Sequence, residues 1–287
     1  MLGVPMPTLR SWELRYGMPA IRHMDGRHRR YLPTEVHAIR LMRDEIARGQ
    51  PAGLAAATVR QLLEIGGPAG KFIHRLLECS EQLNTSGIRV ILDQAAAALG
   101  RGECVDEVLL SAMRQVGIWW EVGHCDIAQE RASTESVRGW LDQQMTLALA
   151  PSHPHPIVLA CGPKDWHTVG LECLAMLLRY QGWPCRLLGA RVPTPVVVAA
   201  AQASDAAAVV VVSQLASGRR AAVESTQAIK EFGLPLFYAG SSFATDRSRK
   251  GVPGSYRGTG IQDACAHIIT ALTSAATLPT AASPTAG

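Results

Sequence analysis

No stretch of this 287-residue chain is long and apolar enough to cross a bilayer. The longest apolar run, Val196 to Val212, is broken by Gln202, Ser204 and Asp205, and reads as a helix followed by a buried strand. A secretory signal is not expected from the first residues either. Paired cysteines are lacking: Cys79, Cys104, Cys125, Cys161, Cys173, Cys185 and Cys265 are scattered singly with no C-x-x-C spacing, which argues for reduced thiols in a cytoplasm and against a structural zinc site. Nor is there a paired acid/base or nucleophile arrangement, so no chemistry of its own is expected, and no substrate barrel is present. Charged residues are only 18% of the chain against 47% hydrophobic, an ordinary balance for a folded soluble protein that excludes disorder for most of it. The exception is Leu278 to Gly287, rich in Ala, Pro, Ser and Thr without periodicity and expected to be disordered.

The charge that is present is unevenly placed. Residues 1–50 hold nine arginines against five carboxylates, which accounts for the whole net charge of +4. Such a concentration marks a small anion-binding module attached to neutral domains. Leu9, Trp12 and Tyr16 fall at helical spacing between Pro7 and Gly17, with Thr8 as the expected cap and Arg10 and Arg15 off the apolar stripe. Arg22, Arg27, Arg29 and Arg30, with His23 and His28, surround the turn dipeptide Asp25-Gly26. A further helix opens at Leu32-Pro33-Thr34-Glu35 and runs through Val36, Ile39, Leu41, Met42 and Ile46 to a stop at Gly49. The string from Thr8 to Tyr31 resembles the MerR-family DNA-binding domain. That resemblance implies a winged helix-turn-helix, with Arg10 and Arg15 on operator DNA, Arg22, Arg27, Arg29 and Arg30 reaching DNA around the wing, and Tyr31 supporting the wing's base. Family members carry another helix ahead of this one. With Met1-Leu2-Gly3-Val4-Pro5 in its place, the module is expected to be truncated at its N-terminus.

The most informative stretch is Asp165-Trp166-His167-Thr168-Val169-Gly170, after the apolar run Ile157 to Cys161 and before a helical pattern near Leu171. In an open parallel α/β sheet, ligands sit beyond the carboxyl ends of the strands, where this loop falls. A carboxylate two residues before a histidine can accept its Nδ1 proton, leaving Nε2 as a metal-ligating lone pair. Gly170 removes a Cβ where loop and ligand pass closely. After 42 further residues Ser213-Gln214-Leu215 ends the strand Ala206 to Val212, and after 23 more Ala239-Gly240 closes the strand Leu234 to Tyr238. This ordered set, DxHxxG, SxL and a small pair, resembles the cobalamin-binding domain of methionine synthase, the mutases and corrinoid regulators. The resemblance extends through Gly182-Trp183, the stretch Leu188 to Pro193 and the stretch Pro253 to Thr259, and departs at Ala239, where the family has glycine. It implies cobalamin as cofactor, His167 as the lower cobalt ligand tuned by Asp165, Trp166 and Gly170 beside it, Ser213 and Leu215 lining the slot for the nucleotide tail, and Ala239-Gly240 letting the tail pass.

Between these ends the chain lacks β alternation and shows helical runs at Phe72 to Leu83, Ile88 to Leu99, Val105 to Trp120 and Ile127 to Leu149, the makings of a four-helix bundle. Trp120 and Glu130, in the spacing W-x9-E, resemble the cobalamin-capping bundle of light-sensing MerR regulators of the CarH/LitR type. By that resemblance Trp120 packs on the adenosyl group and Glu130 hydrogen-bonds it. The family histidine after the glutamate is Arg131 here, which has no lone pair to offer cobalt, and a histidine found after the tryptophan in some members is replaced by Glu121. Arg131 is instead free to pair with Glu130 or an anion, and His124 is a further candidate upper ligand. Of Trp119, Trp120 and Trp140, two are expected in the core. His153 and His155 fall in the linker before the first strand.

The expected fold class is multidomain, α and α/β. It comprises a truncated winged helix-turn-helix over 1–66, a capping bundle over 67–152, a doubly wound flavodoxin-like parallel sheet over 153–277 and a tail over 278–287. The expected function is a cytoplasmic, homo-oligomeric repressor whose hold on operator DNA is switched by adenosylcobalamin and its photolysis. The alternatives are a corrinoid carrier subunit of a methyltransferase or mutase, and a regulator that has lost cobalamin.

Overall fold

The computed structural model describes residues 4–18, 33–47, 50–64, 68–121, 125–258 and 260–276. In chain order its helices are α1 (Met6–Tyr16), α2 (Pro33–Ala47), α3 (Ala52–Glu64), α4 (Pro68–Glu81), α5 (Thr85–Leu99), α6 (Arg101–Glu103), which passes through a π-helical turn (Cys104–Leu109) into α7 (Leu110–Glu121), and α8 (Ile127–Leu147). There follow β1 (Ile157–Cys161), α9 (Val169–Tyr180), β2 (Cys185–Gly189), α10 (Thr194–Ala203), β3 (Ala208–Val212), α11 (Arg219–Lys230), β4 (Leu236–Ala239), α12 (Asp246–Arg249), β5 (Ser255–Tyr256) and α13 (Ile261–Ala276). The chain forms two compact units, Met1–Leu99 with Glu107–Thr134, and Gly100–Asp106 with Glu135–Gly287. Among the described residues no helix is long and apolar enough to cross a membrane.

In the first unit α1 is capped by Pro5, not Thr8 as expected from the sequence. Pro7 supplies no amide to be satisfied, so the helix can begin before the hydroxyl residue is reached. Its end is as expected: Gly17, at φ 63°, turns left-handed and donates its N–H to Glu13. Leu9, Trp12, Ile39, Met42, Ala55, Ala56 and Val59 form a small core, in which α3 takes part although nothing in its alanine-rich sequence announced it. Further along, the run expected to reach Leu83 stops at Glu81, because Leu83 is left-handed at φ 54° and the Asn84 carboxamide accepts the N–H of Gly87 (2.9 Å) to open α5. Gln129 at the start of α8 donates to the Glu81 carbonyl (2.8 Å), and Ser133 lies 2.6 Å from Ser80, oxygen to oxygen.

The second unit is built on a five-stranded sheet in the order β2-β1-β3-β4-β5, every pair parallel. This is the flavodoxin-like doubly wound order, with its switch point between β1 and β3. β1 and β3 are buried throughout, as expected of strands covered on both faces. Val158, Ala160, Val209 and Val211 face one layer with Val197 and Ala201 of α10 and Ala222 and Ile229 of α11. α9 and α13 cover the other face, where Leu171, Leu174, Leu178, Ile268 and Leu272 are buried. The register pairs Cys161 with Val212 and Val212 with Ala239, so β1, β3 and β4 end side by side.

Candidate functional site

That register brings the three sequence segments together, since the residues that follow Cys161, Val212 and Ala239 all emerge at one edge of the sheet. Gly162 donates to the Val212 carbonyl (2.9 Å), Ser213 to the Ala239 carbonyl (3.1 Å) and Ser242 to the Ser213 carbonyl (3.2 Å), so the loops are tied by backbone bonds before any side chain acts.

Asp165 lies at the centre. Its carboxylate is fully buried, and Oδ1 accepts from both the backbone N–H (2.9 Å) and Nδ1 (2.9 Å) of His167. Oδ2 accepts from the N–H of Gln214 and, at 3.4 Å, from that of Leu215. Burial pushes the Asp165 carboxyl up, but these bonds outweigh it and hold the group below the ordinary carboxylate range. The same carboxylate raises the His167 imidazole above its usual value, against the opposing pull of burial. With Nδ1 engaged, Nε2 is the free nitrogen on a side chain that remains 55% exposed. Neighbouring Cys161 is no competing donor, because burial, with Asp165 nearby, pushes its thiol up to about 12.

Gly240 is required by the protein itself. At φ 108°, a Cβ there would sit 2.1 Å from the Ser213 carbonyl oxygen, so the residue packs directly on the Ser213 backbone. Gly170 differs: in the first turn of α9, a Cβ would meet only Ile261 at an ordinary 3.8 Å. Among the described residues, therefore, nothing demands glycine there. Ser213 is buried and its Oγ has no hydrogen-bond partner among the described residues, whereas Leu215 and Trp166 are exposed. Arg191, left-handed at φ 51°, places its guanidinium 4.5 Å from the centre of the Trp166 ring. Ala239 is half-buried at the tip of β4.

Two features had no counterpart in the spacing. One is the second task of Asp165, holding the Gln214 and Leu215 amides. The other is Gln214 itself, whose Oε1 accepts from the N–H (3.0 Å) and hydroxyl (2.7 Å) of Ser241 and so joins the β3 and β4 loops. His153, read as a linker residue, stacks on Trp183 with ring centroids 3.8 Å apart. His155 pairs with Asp205 at 3.0 Å.

In the helical segment, Trp119 and Trp140 are fully buried while Trp120 is 51% exposed. Glu130 accepts from Thr134 one turn on (3.0 Å), and Arg131 and Glu121 are exposed. On α1, Arg10 and Arg15 point away from the buried Leu9 and Trp12 into solvent. Arg22, Arg27, Arg29, Arg30, Tyr31 and the Asp25-Gly26 turn lie outside the described residues, as do His124 and the tail over 278–287.

A lone imidazole with one nitrogen committed to a buried carboxylate and the other free suits a metal that brings its own equatorial ligands. The unpartnered Ser213 hydroxyl suits a polar group entering beside it. On fold and site together this is a B12-binding protein. Residues 156–260 match a B12 binding domain family, and residues 72–143 match a second, helical-segment family of the same description. The monomethylamine corrinoid protein of Methanosarcina barkeri has the same fold, with a TM-score of 0.57 at 14% identity over 70% of this chain and 98% of that one. The HTH-type transcriptional repressor CarH of Myxococcus xanthus is 30% identical over 207 residues, covering 67% of this chain and 69% of CarH. CarA of the same organism is 29% identical over 207 residues, covering 70% of this chain and 69% of CarA. The chain belongs to this CarH-type family of B12-binding transcriptional regulators.

Proposed function

We infer that this chain is a cobalamin-dependent transcriptional repressor and a regulator, not an enzyme. The observation that carries the reading is the His167–Asp165 pair at the carboxyl edge of the sheet, in a chain whose relatives are repressors. His167 would hold cobalt from below, with Asp165 fixing its ring, while Ser213, Leu215, Ala239 and Gly240 border the place for the nucleotide tail and Trp166 and Gly170 flank the ligand loop. Cobalamin, when bound, supplies a light-sensitive cobalt–carbon bond if its upper group is adenosyl.

The finer parts of the proposal concern the other segments. Residues 1–66 would be a winged helix-turn-helix that uses Arg10, Arg15, Arg22, Arg27, Arg29 and Arg30 on operator DNA, with Tyr31 beneath the wing. Residues 67–152 would form a four-helix capping bundle offering Trp120, Glu130 and Arg131 to the adenosyl side, and residues 153–277 the cobalamin-binding domain. Adenosylcobalamin would favour a DNA-binding homo-oligomer in the cytoplasm, and photolysis would remove the differential contacts that favour that state. The likeness to a corrinoid protein speaks for the fold alone and does not favour a carrier role.

The test is size-exclusion chromatography with an operator gel shift, on protein loaded with adenosylcobalamin in the dark and after green light. A dark oligomer that binds DNA and dissociates on illumination is expected. The same elution and DNA retention with and without the cofactor would contradict it.

A further inference from the structure

The DxHxxG loop is held from a second side, by a residue from α8. Thr168 is at the N-cap of α9, where a threonine hydroxyl ordinarily accepts from a helix amide. Here no such bond forms. The hydroxyl instead accepts from Nη2 of Arg138 at 2.6 Å. One turn into α9, Glu172, itself largely buried, faces Nε of the same guanidinium at 3.3 Å, and its N–H donates to the Thr168 carbonyl at 2.9 Å. Glu135 occupies Nη1 at 3.1 Å. Arg138 thus holds the start of α9 by one hydrogen bond, from Nη2 to Thr168, and by charge attraction to Glu172, its Nε making no hydrogen bond among the described residues.

We propose that Arg138 is a positioning residue for His167, fixing through Thr168 and Glu172 the peptide that follows the ligand while Asp165 fixes the ring. Thr168 is buried and directly bonded to His167, so freeing its hydroxyl leaves an unpaired polar group and a looser backbone at the ligand itself. Partners behind a metal ligand characteristically change metal affinity by about 10- to 100-fold, and Arg138, one residue further removed than Asp165, should act at the lower end.

The inference rests on His167 being the cobalt ligand, so its test separates the two. Adenosylcobinamide has no base of its own, and a base-on type of spectrum in its complex with the full chain reports a protein nitrogen. Wild type should show that spectrum and His167→Ala should not. A wild type that stays base-off overturns the ligand assignment and this inference together. With wild type ligated, Arg138→Gln and Thr168→Val should each weaken the ligated complex about 10-fold, Thr168→Ser should match wild type, and Arg138→Lys should fall between. Because the two residues share one bond, the double variant Arg138→Gln/Thr168→Val should lose little more than the worse single change. Wild-type ligation in both single variants, or fully additive losses, would overturn the positioning role while leaving His167 as ligand.

Discussion

The loop that carries His167 and the helical stretch that carries Trp120 differ in how far their side chains are already engaged within the protein. In the loop, both oxygens of a buried carboxylate are spent, on His167 and on the Gln214 and Leu215 amides, and one imidazole nitrogen is left free. In the helices, Trp119 is sealed in the core at 1% exposure, while its neighbour Trp120 lies open, Arg131 is exposed, and Glu130 bonds only within its own helix in the described contacts. The first region is preorganised and loses little freedom on binding. The second leaves the apolar area of Trp120 open to water.

The comparison is sharpest within α7. Trp119→Ala should cost about 3–5 kcal/mol of stability as a large core truncation, whereas Trp120→Ala should stay within about 0.5 kcal/mol, both read by urea unfolding of the ligand-free protein. Equal losses would mean that Trp120 is a packing residue. Next in size, Asp165→Asn should weaken cobalamin binding about 10- to 100-fold in equilibrium dialysis, because an amide cannot accept all the N–H groups that now converge on the carboxylate. An unchanged affinity would show that the pair is decoration. Gly240→Ala should cost about 1–3 kcal/mol from its backbone conformation alone, with the Ser213 collision added. A wild-type melting curve would break the account of how the β3 and β4 loops are joined.

The smallest effect is that of pH. Asp165 titrates below its ordinary value, so its contribution to stability is present above an unfolded pKa of about 3.9 and is lost as pH falls through the lower folded value. His167 titrates above its ordinary value, so its contribution is complete below about 6.5 and is lost as pH rises through the raised folded value. The stability difference between wild type and His167→Ala should therefore be greatest between those limits and shrink toward alkaline pH. Cobalt competes with the same proton, so binding should strengthen as pH rises through the His167 titration. A flat difference curve would remove the ion pair from the account.

Much of this was legible in the chain, for identifiable reasons. β1, β3 and β4 announce themselves because strands buried on both faces are continuous apolar runs, and the spacing of Asp165 and His167 gives their bond directly. β2 does not, since it is a half-exposed edge strand containing Arg186, and the two-residue β5 is too short to show a period. α3 escapes notice because alanines fill its contact face. The Thr8 cap fails because proline at the helix start removes the need for a side-chain acceptor. The hold of Asp165 on Gln214 and Leu215 acts on backbone amides, which leave no mark in side-chain identity. Arg138 meets Thr168 across thirty positions, a distance no local pattern spans.

The central claim is that the nitrogen beneath cobalt comes from His167. Electron paramagnetic resonance of the cobalt(II) cobalamin complex, on protein uniformly labelled with nitrogen-15 histidine, addresses it directly. The account predicts nitrogen splitting that changes from a triplet to a doublet pattern on labelling, with no doublet in labelled His167→Ala. A triplet that survives labelling, from the cofactor's own benzimidazole, would contradict it.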